Sequence, residues 1–245
     1  MKKILIIQSR KRPEMIAAEQ GEYTRATEGQ AELTFVSSLD DTLDWEQPQH
    51  MLENIGGVIL GGSGEFDFDG GRAVSDPARI TSQEIAKRLK LFVEYLLKND
   101  VPTLGICYGH QIISEVLDVP VVNDREQKKV GSFPVSLTGA GKEDKLFKEL
   151  PELFIGQYGH KDSLAAIPNG AVLLATGERC KTSALRYGSA VYTMQFHPEL
   201  TAEDVKWKLQ NSPGYLSERV DMDSIVKPSV YASKIIPLFI ERIVE

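Results

Sequence analysis

Along the first half of the chain, short runs of β-branched and other apolar residues alternate with longer stretches whose apolar positions recur at helical spacing. Residues 4–7 form an unbroken apolar run and predict a buried strand, and residues 12–27 predict a helix with a polar face. Residues 33–36 predict a strand, 43–54 a helix and 57–60 a third short strand. From 79 to 99 the apolar positions Ile80, Ile85, Leu89, Phe92, Val93 and Leu96 keep the step of an amphipathic helix. A strand over 101–106 and a helix over 109–117 continue the alternation. Strands separated by helices pair in parallel and need cover on both faces, which makes this half α/β.

The second half has a different rhythm. Residues 129–137, 153–157, 172–175, 183–186 and 190–195 are closely spaced strand candidates, joined by turn residues such as Asn169-Gly170 and Tyr187-Gly188. That spacing predicts an antiparallel meander. A last helix over 231–244 contains Pro237, which should kink it or mark its boundary. Two features break the pattern: Gly61-Gly62-Ser63-Gly64 directly after a strand, and a loop that runs on through Phe66 and Phe68 to about residue 80. Loops of that length in compact domains usually serve function or move.

Neither a repeat nor a Pro/Gly/Ser-rich linker divides the 245 residues, so residues 1–245 read as a single domain. Hydrophobic residues at 42% and charged residues at 26% are globular composition and exclude a disordered chain. A net charge of −7 with scattered acidic residues offers nothing to a phosphate backbone, so nucleic acid is not an expected partner. The apolar run near the N-terminus is too short for a signal-peptide core or a membrane span, and a cytoplasmic protein with no membrane partner is expected. Two cysteines and four histidines, with no CxxC and no HExxH, argue against a structural zinc site or a disulfide framework; no metal or cofactor is expected.

The candidate chemistry centres on Cys107. In Gly105-Ile106-Cys107-Tyr108-Gly109 an apolar strand turns straight into a helix, with glycines two before and two after the cysteine. This is the spacing of a nucleophile elbow, where a sharp strand-to-helix turn leaves no room for flanking side chains and projects the central residue from the turn. The adjoining helix N-terminus stabilises a thiolate. A lone cysteine is more often a small buried hydrophobe; the two glycines set Cys107 apart, whereas Cys180 has no such frame and reads as structural. The nucleophile needs a base. His197 ends an apolar strand, Pro198 follows it, and Glu199 is placed to accept a hydrogen bond from the imidazole and orient it. His160 is the reserve base, His110 a packing residue and His50 a surface residue.

Four segments taken together, LGGSGE (60–65), GICYGHQ (105–111), GHKDSL (159–164) and MQFHPEL (194–200), resemble the class I glutamine amidotransferases and occur in that family's order. The resemblance implies a flavodoxin-like α/β fold: a mostly parallel sheet flanked by helices, with an additional small antiparallel sheet. It implies a catalytic triad of Cys107, His197 and Glu199, and an oxyanion hole from the backbone N–H groups of Gly62 and Tyr108. It also implies substrate contacts at Gln111, His160 and Asp162. The expected reaction is hydrolysis of the glutamine side-chain amide through a cysteine thioester, with ammonia passed to a partner synthetase. A free-standing hydrolase of γ-glutamyl peptides or amides, or a non-catalytic binding module, are the alternatives. The chain departs from the family where GGSG lacks the proline that often follows the glycines. It departs also in the long loop over 66–79, and in the segment 202–229 with Trp207, Tyr215 and Met222, whose default reading is packing.

Overall fold

Each apolar run of the first half is a strand of one sheet in the computed structural model, which describes residues 1–212 and 221–244. Strands β1 (Lys2–Gln8), β2 (Ala31–Ser37), β3 (Gly57–Leu60) and β4 (Thr103–Ile106) alternate with helices α1 (Pro13–Ala26), α2 (Pro48–Met51) and α3 (Pro77–Lys98). Helix α4 (Tyr108–Val116) follows β4 directly. The second half supplies β5 (Val121–Val122), β6 (Lys129–Leu137), α5 (Gly139–Glu143), β7 (Leu153–His160), β8 (Ser163–Leu164), β9 (Val172–Gly177), β10 (Cys180–Tyr187) and β11 (Val191–Met194). Helices α6 (Ala202–Gln210), α7 (Met222–Ile225) and α8 (Ile235–Arg242) complete the chain.

The main sheet has nine strands in the order β2-β1-β3-β4-β11-β10-β9-β6-β7. From β2 to β11 neighbours run parallel; from β11 to β7 they run antiparallel. The expected meander therefore does not stand apart but extends the central sheet, because β11 pairs with β4 on one side and β10 on the other. All four residues of β11 are buried, as an interior strand requires and an edge strand does not. The small separate sheet is the two-stranded β5–β8 pair, too short to be visible in the sequence pattern.

Alternation along β1 sorts the core into two layers. Ile4 and Ile6 face Ile236, Phe239 and Ile240 of α8, whereas Leu5 and Ile7 face Ile85, Leu89 and Phe92 of α3. The expected helix over 43–54 shrinks to the single turn of α2. Pro48 opens it, and upstream the Trp45 indole N–H donates to the Asp40 carbonyl at 2.7 Å, tying that stretch into a turn instead. Pro237 is the third residue of α8, where a missing N–H costs nothing, so it marks a helix start and not a kink. In the 202–229 segment, Val205 and Leu209 of α6 pack with Leu200, Val226 and Met222 in a small cluster of their own. Trp207 is exposed on α6, and Tyr215 lies outside the described residues. No helix among the described residues is long and apolar enough to cross a membrane.

Candidate active site

Strands β1, β3, β4 and β11 end side by side, and the segments leaving their carboxyl ends converge, as expected of an open parallel sheet. Cys107 sits between β4 and α4 with φ 51° and ψ −96°. That left-handed backbone costs a non-glycine residue about 1–3 kcal/mol and survives only where its surroundings impose it. They do so here: the Cys107 N–H donates to the Met194 carbonyl at 2.7 Å, and its carbonyl accepts from the Gln111 N–H at 3.2 Å. A Cβ on Gly109 would lie 2.2 Å from the Leu60 carbonyl oxygen, so β3 and α4 can approach only if residue 109 is glycine. The sulfur does not project into solvent, however: Cys107 is 3% exposed and forms the buried floor of the site.

His197 is held from two sides. Its backbone N–H donates to the Gln157 carbonyl at 2.8 Å, and its ring Nδ1 is 2.6 Å from Glu199 Oε1, both side chains being buried. With Nδ1 on Glu199, the direct contact with Cys107 falls to Nε2. Burial alone would lower the imidazole pKa, but the Glu199 carboxylate and Cys107 outweigh it and push it up to about 10. Residue 62 must be glycine for this to fit, since a Cβ there would come 2.9 Å from the His197 ring. Among the described residues neither the Gly62 nor the Tyr108 backbone N–H has a hydrogen-bond acceptor, and Tyr108 begins α4.

The other expected residues are placed around this pair. Gln111 is buried on α4, and its amide donates to the Asp162 carbonyl at 3.1 Å and to Gln195 Oε1 at 3.3 Å. His160 Nδ1 donates to the Asp162 carbonyl at 2.9 Å, leaving Nε2 as a buried acceptor with no donor among the described residues. Burial drives the His160 pKa down to about 4, so the ring is neutral and lacks the carboxylate partner that His197 has. Asp162 does not present its carboxylate to open space. The two oxygens accept the backbone N–H groups of Asp69 and Gly70 at 2.9 and 2.7 Å, and Asn123 adds a third donor. That clamp orders the long loop, whose Phe68 stacks on Tyr108 at 5.3 Å between centroids. His110 is buried with Nδ1 2.8 Å from Thr193 Oγ1, Cys180 is fully buried, and His50 is exposed beside Asp44.

Sequence reasoning passed over Gln195 and a group of buried charges. Gln195 Nε2 donates to Cys107 Sγ at 3.5 Å while its carbonyl oxygen takes the Gln111 amide, so two amides link the Asp162 backbone to the sulfur. Its position two residues before His197 on extended backbone was the available signal, because such residues share a side. Behind the imidazole, Arg10 pairs with Glu19 at 2.8 Å, Gln8 donates to the other oxygen of Glu19 at 2.8 Å, and Lys208 pairs with Glu22 at 3.0 Å. Charges gathered from β1, α1 and α6 leave no local pattern to find.

The fold and this site define an α/β domain whose elbow cysteine touches a carboxylate-held histidine. Residues 40–210 match the model of the family described as glutamine amidotransferase class-I, and the chain belongs to that family. The chain is 27% identical over 165 residues to a glutamine-hydrolysing GMP synthase subunit from Methanosphaera stadtmanae, covering 67% of this chain and 75% of that one. It is 36% identical over 148 residues to the glutamine-hydrolysing GMP synthase of Borreliella burgdorferi, where the match covers 60% of this chain but 25% of that longer protein. In fold it is similar to a glutamine amidotransferase from Thermotoga maritima, with a TM-score of 0.71 and 19% identity over 100% of this chain and 98% of that one.

Proposed function

We propose that this protein hydrolyses the side-chain amide of glutamine through a γ-glutamyl thioester on Cys107. The observation that carries this reading is the 2.6 Å pairing of His197 with Glu199 past the end of β11, with Cys107 at the end of β4 acting on the same imidazole. At neutral pH the raised pKa keeps His197 as an imidazolium, the natural counter-ion of a thiolate. The thiolate attacks the amide carbonyl, and the oxyanion takes the N–H groups of Gly62 and Tyr108, which have no acceptor among the described residues. His197 then gives its proton to the departing nitrogen, the C–N bond breaks and ammonia leaves. Water, deprotonated by the same ring, cleaves the thioester to glutamate and frees the sulfur. Gln111 and His160, whose Nε2 has no donor among the described residues, are proposed to meet the glutamyl group, whereas Asp162 serves it indirectly by clamping the loop over Tyr108. The likeness to separate GMP synthase subunits supports a second step in which ammonia passes to a synthetase partner.

The test is turnover and intact mass with glutamine. Wild type should accumulate a glutamyl adduct mapping to Cys107, and Cys107→Ala should remain folded and lose activity by about a thousandfold or more. Full activity in Cys107→Ala, or an adduct on Cys180, overturns the reading. Ammonia release that rises when a synthetase is added would support the partner, and an unchanged rate with every such synthetase would count against it.

A further inference from the structure

Residue 62 must be glycine to clear the His197 ring, and that requirement leaves the backbone of the turn soft where a preorganised oxyanion donor has to be stiff. The Gly62 N–H shares a peptide plane with the Gly61 carbonyl, so the two point in opposite directions. On the side of the sheet that plane is held. The Gly61 N–H donates to the Ile7 carbonyl at 3.0 Å, and the Gly61 carbonyl accepts from the Gly109 N–H at 3.1 Å. Beyond Gly62 the β3 ladder has ended, and no side chain at 62 restricts the chain. The second hold has to come from outside the turn.

Glu65 reaches out of the turn to such a hold. Its Oε2 accepts the backbone N–H groups of Lys11 and Arg12 at 3.1 and 3.2 Å, which ties the turn to the entry of α1, where a carboxylate also meets the positive end of the helix. Among the described residues its Oε1 is buried without a hydrogen-bond partner, so the bonds of this carboxylate all go to that entry. The anchor is itself fixed: Pro13 opens α1, and the Arg12 guanidinium donates to the Asn211 carbonyl at the end of α6 at 3.2 Å. Between Gly62 and Glu65 the slack is taken up by Ser63, whose Oγ accepts the N–H groups of Glu65 and Phe66 at 3.2 and 3.3 Å. Lys11 Nζ lies 5.2 Å from the centre of the Phe66 ring, a further tie between the same two loops. We infer that Glu65 is a positioning residue for the oxyanion hole: it fixes the far side of the turn so that the Gly62 N–H stays aimed at the oxygen that becomes negative as Cys107 attacks. The inference rests on the thioester chemistry proposed above and adds to it a residue that acts through Gly62. Because the aimed donor meets charge that develops only in the transition state, loosening it slows turnover and leaves substrate binding alone.

Two reactions of the same sulfur, both in the full chain, test this. Hydrolysis of glutamine passes through an oxyanion, whereas alkylation by iodoacetamide, at a saturated carbon, forms none. Glu65→Ala should lower kcat for glutamine by about tenfold or more, short of the roughly hundredfold to thousandfold of a donor deleted outright, with KM and the alkylation rate of Cys107 within about twofold of wild type. Glu65→Gln keeps an oxygen for the Lys11 and Arg12 N–H groups and should restore most of the lost kcat. Ser63→Ala, which loosens the turn from inside, should lower kcat in the same sense. Equal losses of turnover and alkylation in Glu65→Ala would make Glu65 a general structural residue, and an unchanged kcat would make the tie to α1 irrelevant to catalysis. Either result overturns the inference while glutamine turnover by the wild type, and with it the thioester reading, stands. A wild type that neither turns over glutamine nor carries an adduct on Cys107 overturns both.

Discussion

The sulfur of Cys107 has three influences on it. Its own backbone is held in a left-handed turn after β4, His197 contacts it from beyond β11, and Gln195 donates to it from the same segment. Gln195 acts by positioning: its amide is itself aimed by Gln111 on α4, so the sulfur has one fixed donor whatever the substrate does. A hydrogen bond to a charged group is worth about 1.5–3 kcal/mol, or roughly tenfold or more in rate when the donor is lost. Gln195→Met should therefore slow alkylation of Cys107 by iodoacetamide at neutral pH by about tenfold with no loss of fold. An unchanged rate would show that Gln195 contributes packing alone.

At the scale of elements the elbow depends on how closely β3, β4 and α4 can pack. The Gly109 N–H donates to the Gly61 carbonyl at 3.1 Å, and the Cα of Gly109 rests on the Leu60 backbone. A Cβ at 2.2 Å from that carbonyl cannot be relieved by turning a side chain, because both colliding groups are backbone-anchored. Gly109→Ala should cost at least about 3 kcal/mol, read as a fall in the urea midpoint, and should impair alkylation of Cys107 as the turn is displaced. Gly105 is under less pressure, with a Cβ contact of 3.0 Å to the Gly109 carbonyl and to the end of the Ile113 side chain. Alanine at 105 should cost less than alanine at 109, and the reverse order would refute a turn governed by the Leu60 contact. Loop and sheet are coupled as well: Asp162 lies just past β7 and holds the loop between β3 and α3, so a residue in the antiparallel half sets the roof over an elbow in the parallel half.

For the whole molecule, burial has divided the histidines. His110 and His160 are pushed down to about 3 and about 4 by desolvation, and His197 is pushed up to about 10 because Glu199 and Cys107 outweigh its burial. Ring NMR should show the first two neutral and the third protonated between about pH 5 and 8. The two depressed groups bind protons more readily in the unfolded chain, so the stability they contribute is lost as pH falls below 6.5 towards their folded values. The raised group works in the opposite sense: its contribution is whole below 6.5 and is lost as pH rises through about 10. Stability from these three groups is thus greatest near pH 6.5. Glu199→Gln should lower Tm at neutral pH and flatten the alkaline fall, and an alkaline limb as steep as that of wild type would contradict the assigned ion pair.

Much of the molecule was legible in the sequence because it is local. Apolar runs placed β1, β3 and β6, helical spacing placed α3, and the two glycines around Cys107 announced a turn whose cause is steric contact with neighbouring backbone. His197 and Glu199, two residues apart, carry their hydrogen bond in their spacing. What stayed hidden depends on which strands become neighbours. Gln195 lies 88 positions beyond Cys107 in the chain, yet β11 pairs with β4 residue for residue, and that pairing alone brings His197 and Gln195 to the sulfur. The occupation of Asp162 by a loop 92 residues upstream and the burial of Arg10 against Glu19 are decided in the same way. The sequence by itself determined the types of group available and the turns that present them. Only the folded sheet determined their distances, and distance and burial set both the charge of each group and what it can reach.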